Sequence, residues 1–325
     1  MKSVKKQGIN LSSTRFIGAV LILLLTTAVV GVLVRTAFRE VSLTANPASP
    51  VPITAFSGGS FEASGVTHVP GTDTVLFVDD GRPNEIFWMQ LGADRKQAGA
   101  IKTIQIATSI IDLEGITTDG EYFYVVGSQS KSRGTDQAGL ARFKFDAAHQ
   151  RATDTQAASG LKKFLADNVE ELRGLENTKY SDGGINVEGI AWDPVNKRLL
   201  LGLRSPVVEG NALVVPLKLR DPKAALSFDN LEVEGRKAIR LSLGGAGIRS
   251  IEYDESSKAF FLITGAGPNA EKMDFKTWEW SESGALREME TYDRRLKPEG
   301  ITRVSTGERD FIFIVFDTSG YAATE

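Results

Sequence analysis

Beyond residue 60, one pattern of polar and apolar positions recurs five times: Ser64–Val78 "SGVTHVPGTDTVLFV", Glu114–Val126 "EGITTDGEYFYVV", Glu188–Leu203 "EGIAWDPVNKRLLLGL", Arg249–Ile263 "RSIEYDESSKAFFLI" and Glu299–Val315 "EGITRVSTGERDFIFIV". A polar first residue is followed by glycine or, once, serine, and then by a β-branched third residue. A turn rich in Asp, Gly, Ser or Pro leads to a strongly apolar run. The first residues are spaced by 50, 74, 61 and 50 positions.

Units of about 40–50 residues that each hold several short strands are the signature of propeller blades. More strand-like runs lie within them, at Glu85–Leu91, Ala212–Leu217, Ala238–Leu243 and Lys276–Ser281. The second run of each unit, such as Leu199-Leu200-Leu201, is apolar on both faces, as a strand sandwiched between blades requires. The expected fold is therefore an all-β propeller with five blades, or six if a divergent blade hides in residues 130–185. Leu161–Leu172 "LKKFLADNVEEL" has helical periodicity and is expected as an insertion on a blade edge. The last unit has room for only two strands. Ile53–Phe56 is expected to supply its outer strand and close the ring.

A different pattern occupies the N-terminus. Phe16–Val34 runs for 19 residues without a charge, enough for about 28 Å of helix against a hydrocarbon core of about 30 Å. Lys2, Lys5, Lys6 and Arg15 precede it, which favours a cytoplasmic N-terminus and an exported body. The expected organisation is a cytoplasmic segment at 1–15, a transmembrane signal anchor or a cleaved signal at 16–34, a linker at 35–52 and the propeller at 53–325. That places the body on the periplasmic or extracellular side of the inner or plasma membrane. Three prolines in "TANPASPVP" suit a semi-rigid spacer.

Charge and cysteine usage narrow the function. The net charge is −3, yet residues 1–40 carry about +5, which leaves an acidic body without a basic stripe and argues against nucleic-acid binding. Without cysteine, disulfides, thiol catalysis and Cys-zinc sites are excluded. No Walker A, Gly-x-Ser-x-Gly, His-Glu-x-x-His or EF-hand loop occurs. The two histidines, His68 and His149, fit a strand and a polar loop better than a catalytic triad.

What remains is the ring of first residues. In a propeller these sit near a mouth of the central channel, so Glu114, Glu188, Arg249 and Glu299 would converge there with Ser64. The ends of the second strands add Asp79, Asp80, Ser128, Arg204 and Asp317. Three readings stay open. The carboxylates pair with Arg204 and Arg249; or the mixed ring holds a small anion or runs carboxylate chemistry; or Glu114, Glu188 and Glu299 ligate Ca²⁺ or another divalent cation.

"LEGITTDGEYFYVVGSQSKSRG" together with "GINVEGIAWDPVNKRLLLGLRSP…ALVVPL" resembles a bacterial domain-of-unknown-function family, with a likeness that covers about residues 55–317. More distantly the body is similar to esterase-like phytase and gluconolactonase-type propellers. In the lactonase type a glutamate at a comparable place binds a divalent metal, which implies a ligand role for Glu114, Glu188 or Glu299. Arg249 and Arg204 depart from that pattern, so the lactonase site is not reproduced. Two functions follow as expectations. One is a membrane-tethered propeller that binds a small anionic ligand or an envelope partner through Glu114, Glu188, Glu299, Arg204, Arg249, Asp80 and Asp317. The other is an exported phosphoesterase or lactonase that uses a metal at the channel glutamates.

Overall fold

A computed structural model describes residues 52–130, 138–268, 273–281, 283–307 and 309–324. The expected cytoplasmic segment, membrane span and nearly all of the linker lie outside the described residues. Among those described, no helix is long and apolar enough to cross a membrane.

Five antiparallel sheets follow one another along the chain. Blade 1 is β2 (Ala63–His68), β3 (Thr74–Asp79), β4 (Glu85–Gln90) and β5 (Lys102–Gln105), and blade 2 is β6 (Leu113–Thr118), β7 (Phe123–Gly127), β8 (Ala138–Asp146) and β9 (Arg151–Ser159). Blade 3 is β10 (Asn186–Asp193), β11 (Arg198–Val208) and β12 (Asn211–Leu219), with both β13 (Leu231–Val233) and β14 (Ile239–Leu241) paired to β12. Blade 4 is β15 (Gly247–Asp254), β16 (Ala259–Gly265), β17 (Phe275–Ser281) and β18 (Leu286–Tyr292). Blade 5 joins β19 (Pro298–Thr306), β20 (Arg309–Phe316) and β21 (Gly320–Thr324) to β1 (Thr54–Ala55) from the other end of the domain. The five inner strands β2, β6, β10, β15 and β19 touch in that cyclic order, so the count is five and the six-blade alternative falls away.

The residue types explain the layers. Second strands rich in Val, Leu, Ile and Phe pack on both faces, and Leu199, Leu200 and Leu201 are fully buried. Each such side chain stabilises the fold by about 1.5–3 kcal/mol through burial. The turns after the inner strands are held by aspartate. The Asp193 carboxylate accepts from the Asn196 amide at 3.0 Å, and Asp254 accepts from the amides of Ser256 and Ser257 at 3.1 and 3.0 Å. Ring closure depends on β1, where Thr54 pairs with Tyr321 and Phe56 packs against Phe61, Phe77 and Tyr321.

The described residues within 130–185 hold no hidden blade. They contain β8, β9 and a short helix, α1 (Leu161–Asn168). This insertion is not a surface edge. Leu161 and Leu165 are fully buried in a cluster with Tyr124, Val187, Leu201 and Leu213, so the helix is wedged between blades 2 and 3.

The glycine in second place of four units has a steric cause. A Cβ on Gly65 would lie 2.7 Å from Glu114 O, and one on Gly189 would lie 2.8 Å from Ile251 Cγ2 and 3.0 Å from Ile251 N. At these points the inner strands of neighbouring blades approach too closely for a side chain. In blade 4 Ser250 takes the place, and its Oγ accepts from the Ile301 amide of blade 5 at 3.3 Å. Gly189→Ala is therefore expected to destabilise the domain by about 1–3 kcal/mol in urea unfolding, because the opposing backbone must shift. A change near zero would show that the strands have room to spare.

Candidate functional site

Every first residue of the repeat occupies the same backbone irregularity. In blade 3 the pairing passes from Val187–Leu203 to Gly189–Gly202, which leaves Glu188 as the extra residue of a β-bulge. The same shift brackets Ser64, Glu114, Arg249 and Glu299 in the other blades. A bulge sets two residues against one and re-aims a side chain. Five bulges in register thus direct five side chains toward one mouth of the channel.

Three of the five meet in an ion-pair network. Arg249 donates from Nε to Glu299 Oε2 at 2.5 Å and from Nη2 to Glu299 Oε1 in a bidentate pair. Its Nη1 lies 2.9 Å from Glu188 Oε2, without hydrogen-bond alignment. Glu188 Oε1 accepts from Arg204 Nη1 at 2.9 Å and from Asn186 Nδ2 at 3.0 Å. Glu188 and Glu299 are buried, at 2% and 4% exposed. Burial opposes the charge on Arg249, but Glu188 and Glu299 outweigh it and hold the guanidinium above its ordinary pKa. Burial likewise pushes Glu299 up to about 7, against the pull of Arg249.

Glu114 is left over. It is mostly buried and has no hydrogen bond or ion pair among the described residues; burial and the neighbouring Glu188 hold its pKa well above the usual carboxylate range. Asp80 does not join the arginines. It sits on the side of blades 1 and 2, where burial, then Glu62 and Asp112, raise it to about 6. Asp79 nearby is also raised by burial, while its oxygens accept from the amides of Glu62 and Gly81 at 3.0 Å each. Ser128 bonds Asp112 on the same side, and Ser64 Oγ donates to Glu62 O at 3.3 Å. Asp317 lies across the mouth, 2.6 Å from Lys297 Nζ.

Beside the network opens a cleft of about 480 Å³, lined by Tyr180, Arg204, Arg249, Arg294, Lys297 and Asp317 among others. The insertion after α1 brings Tyr180 under Arg204, whose guanidinium carbon is 5.0 Å from the ring centroid. The Tyr180 hydroxyl is buried without a hydrogen-bond partner among the described residues. Arg294 is exposed and makes no ion pair among them.

A second polar layer lies three residues along the inner strands, about 10 Å at the usual strand rise. It consists of Thr67, Thr117, Ala191, Glu252 and Thr302. Glu252 Oε1 accepts from Thr67 Oγ1 at 2.7 Å and Oε2 from Thr117 Oγ1 at 3.0 Å. Burial raises this carboxyl to about 8. The repeat aligns this layer, but Thr67, Thr117, Ala191 and Thr302 carry no signature of chemistry beside the charged first residues and second-strand ends, so the sequence does not single it out. Sequence reasoning also missed Tyr180, Arg294 and Lys297, which no pattern singles out. His68 ends β2 with Nε2 2.6 Å from Thr72 O, and exposed His149 pairs with Asp146 at 2.8 Å.

The channel glutamates do not fit a resident divalent cation. The oxygens of Glu188 and Glu299 already face guanidinium groups, and a dication would have to displace those cations. Among the described residues no three His, Asp or Glu side chains group in a way that would hold a metal ion.

The fold and ring define a five-bladed propeller with a charge-compensated channel mouth. Residues 142–322 match the family described as "Protein of unknown function (DUF3616)", and the chain belongs to that family. No curated protein matches it in sequence. Among solved structures, the PQQ domain of pyranose dehydrogenase from Coprinopsis cinerea aligns over 86% of this chain and 98% of its own, at 10% identity and a TM-score of 0.44. The periplasmic gluconolactonase of Pseudomonas aeruginosa aligns over 78% of this chain and 64% of its own, at 11% identity and a TM-score of 0.39. Streptogramin B lyase aligns over 85% and 97%, at 7% identity and a TM-score of 0.41. Likeness at this level carries no argument about activity.

The raised carboxyls make stability depend on pH. A carboxyl whose folded pKa lies above its unfolded value binds its proton more tightly in the folded state. It therefore contributes stability at acid pH that is lost as pH rises through the folded value. With Glu299 near 7 and Glu252 near 8, the unfolding free energy is expected to fall between pH 5 and pH 8 through these groups. Glu114→Gln keeps the neutral form, so the variant should match the wild type at pH 5, exceed it at pH 8 and show a flatter slope in urea titrations. An unchanged slope would mean that Glu114 is not held protonated.

Proposed function

We propose that this chain is an exported, membrane-tethered propeller that binds a small anion, a carboxylate or phosphate, in the cleft beside Arg249. The observation that carries this reading is an excess of donors. The Tyr180 hydroxyl is buried without a hydrogen-bond partner among the described residues, and burial raises its pKa. Arg204 stands over that ring, and Arg294 makes no ion pair among the described residues. Guanidinium groups suit planar or tetrahedral oxyanions because their N–H fork matches two oxygens. The glutamates then serve to fix Arg249 and Arg204, and the anion is met by the donors that remain. An envelope protein would engage the same cleft through an acidic side chain. The tether is the uncharged run at 16–34, with the propeller on the periplasmic or extracellular side.

The test uses the full-length chain, recovered in detergent from carbonate-washed membranes and titrated calorimetrically with inorganic phosphate, acetate and citrate. Saturable binding of at least one anion is expected. Arg294→Gln, an exposed change without structural partners among the described residues, should weaken it by about tenfold or more, equivalent to ~1.4 kcal/mol. Recovery of the chain in the soluble fraction would overturn the tether. Binding by none of the three anions, or binding indifferent to Arg294, would overturn the ligand reading.

A further inference from the structure

The other mouth of the channel holds a larger cavity, about 620 Å³, lined by the far ends of the inner strands and by the turns that follow them. Its floor is the second polar layer, in which Glu252 is the one ionisable side chain. Glu252 is buried, at 8% exposed, and among the described residues its carboxyl is bonded by the hydroxyls of Thr67 and Thr117. No cation pairs with it among the described residues. The contrast with the first layer is direct, since Glu188 and Glu299 are both met by guanidinium groups. Buried carboxylates are normally paired with a cation or else stay neutral.

The surroundings share one sign. Asp119, Asp254 and Glu255 border the cavity with Glu252, against Arg303 alone and His68, whose burial lowers its pKa and keeps it neutral. Arg303 is itself engaged, bonded to Asp310 and 3.5 Å from Asp254. The rim carboxylates are occupied by structure. Asp119 accepts from the Glu121 and Tyr122 amides and the Tyr124 hydroxyl, Asp254 holds its own turn, and Glu255 pairs with Lys258. They set a negative potential without competing for a ligand. Trp192 and Tyr253 add aromatic walls, and aromatic faces attract cations.

We propose that this cavity binds a small organic ammonium ion, seated with its N–H groups on the Glu252 carboxylate and its carbon skeleton against Trp192 and Tyr253. The ligand brings the counter-charge that the protein does not. Because burial holds the free carboxyl near 8, Glu252 carries a proton at pH 7. Binding exchanges that proton for the ammonium ion: the carboxyl O–H bond breaks, the proton passes to solvent, and a ligand N–H donates to the freed oxygen. Among the groups around the cavity, Thr67 and Thr117 remain donors to Glu252, His68 stays neutral, and Arg303 stays with its own carboxylates.

Calorimetric titration of the full-length chain with ethylammonium chloride at pH 7, in two buffers of different ionisation enthalpy, tests the proposal. Saturable binding with release of close to one proton per ligand is expected. Glu252→Gln should weaken binding by about tenfold or more, and Arg294→Gln, at the other mouth, should leave it unchanged. Should Glu252→Gln fail to fold, the proton count on the wild type decides. No saturable binding, binding without proton release, binding unaffected by Glu252→Gln, or equal uptake of uncharged ethanol would each overturn the assignment.

Discussion

A single guanidinium, that of Arg249, is shared between glutamates from the blades on either side of it, and the centre of the propeller is organised around that bond. Taking an arginine and two carboxylates out of water costs several kcal/mol per charge, so the arrangement persists only with close, multiple contacts. The bidentate pair to Glu299 and the approach to Glu188 supply them, and Arg204 adds a second cation to Glu188. Blades 3, 4 and 5 are thereby joined at the axis by charge, whereas blades 1 and 2 pack through an apolar cluster that includes Leu76, Val78, Ile116 and Val125. Glu114 is left without an ion pair among the described residues, and Tyr180 and Arg294 line the adjoining cleft.

The geometry behind this bond comes from backbone register. Five bulges at equivalent places bring side chains from five separate sheets to one level. Glycine in the next position lets the strands approach closely enough for those side chains to meet. Serine in blade 4 keeps the approach and adds a hydrogen bond to blade 5. Below that collar the chain builds a second layer in which threonine hydroxyls bond one carboxyl, that of Glu252, which meets no cation among the described residues. The two mouths therefore differ in kind: one is rich in cations already matched to glutamates, the other in carboxylates with an unmatched acid at its floor.

Much of this was legible in the sequence, for identifiable reasons. The both-face apolar runs marked the buried second strands, the spacing of the first residues gave five blades, and "Ile53–Phe56" supplied the closing strand. Placing both ends of one hairpin at one mouth put Glu188 and Arg204 within reach of each other, with ion pairing one of the three readings open; the structure bonds them. The bulges were not legible, because a register shift depends on the partner strand and leaves no mark in polar and apolar periodicity. Asp80 and Arg204 hold similar places at the ends of second strands, yet they meet different neighbours, since Glu62 and Asp112 come from connecting segments outside the repeat. Tyr180 was invisible for the same reason: an insertion between blades carries it to the cleft. The helical period of Leu161–Leu172 marks an insertion but not the face it buries, and only packing shows Leu161 and Leu165 inside the core.

The most direct check on this account is a double-mutant cycle between Arg249→Met and Glu299→Gln, measured by urea unfolding at pH 7. A buried, shared guanidinium predicts that Arg249→Met alone destabilises the domain by about 3–5 kcal/mol, because it removes the partner of Glu299 and leaves Glu188 with Arg204 alone. Adding Glu299→Gln should then recover a substantial part of the loss, with a coupling of about 2 kcal/mol or more. Effects that add to within about 0.5 kcal/mol would contradict it, since residues that do not interact behave that way.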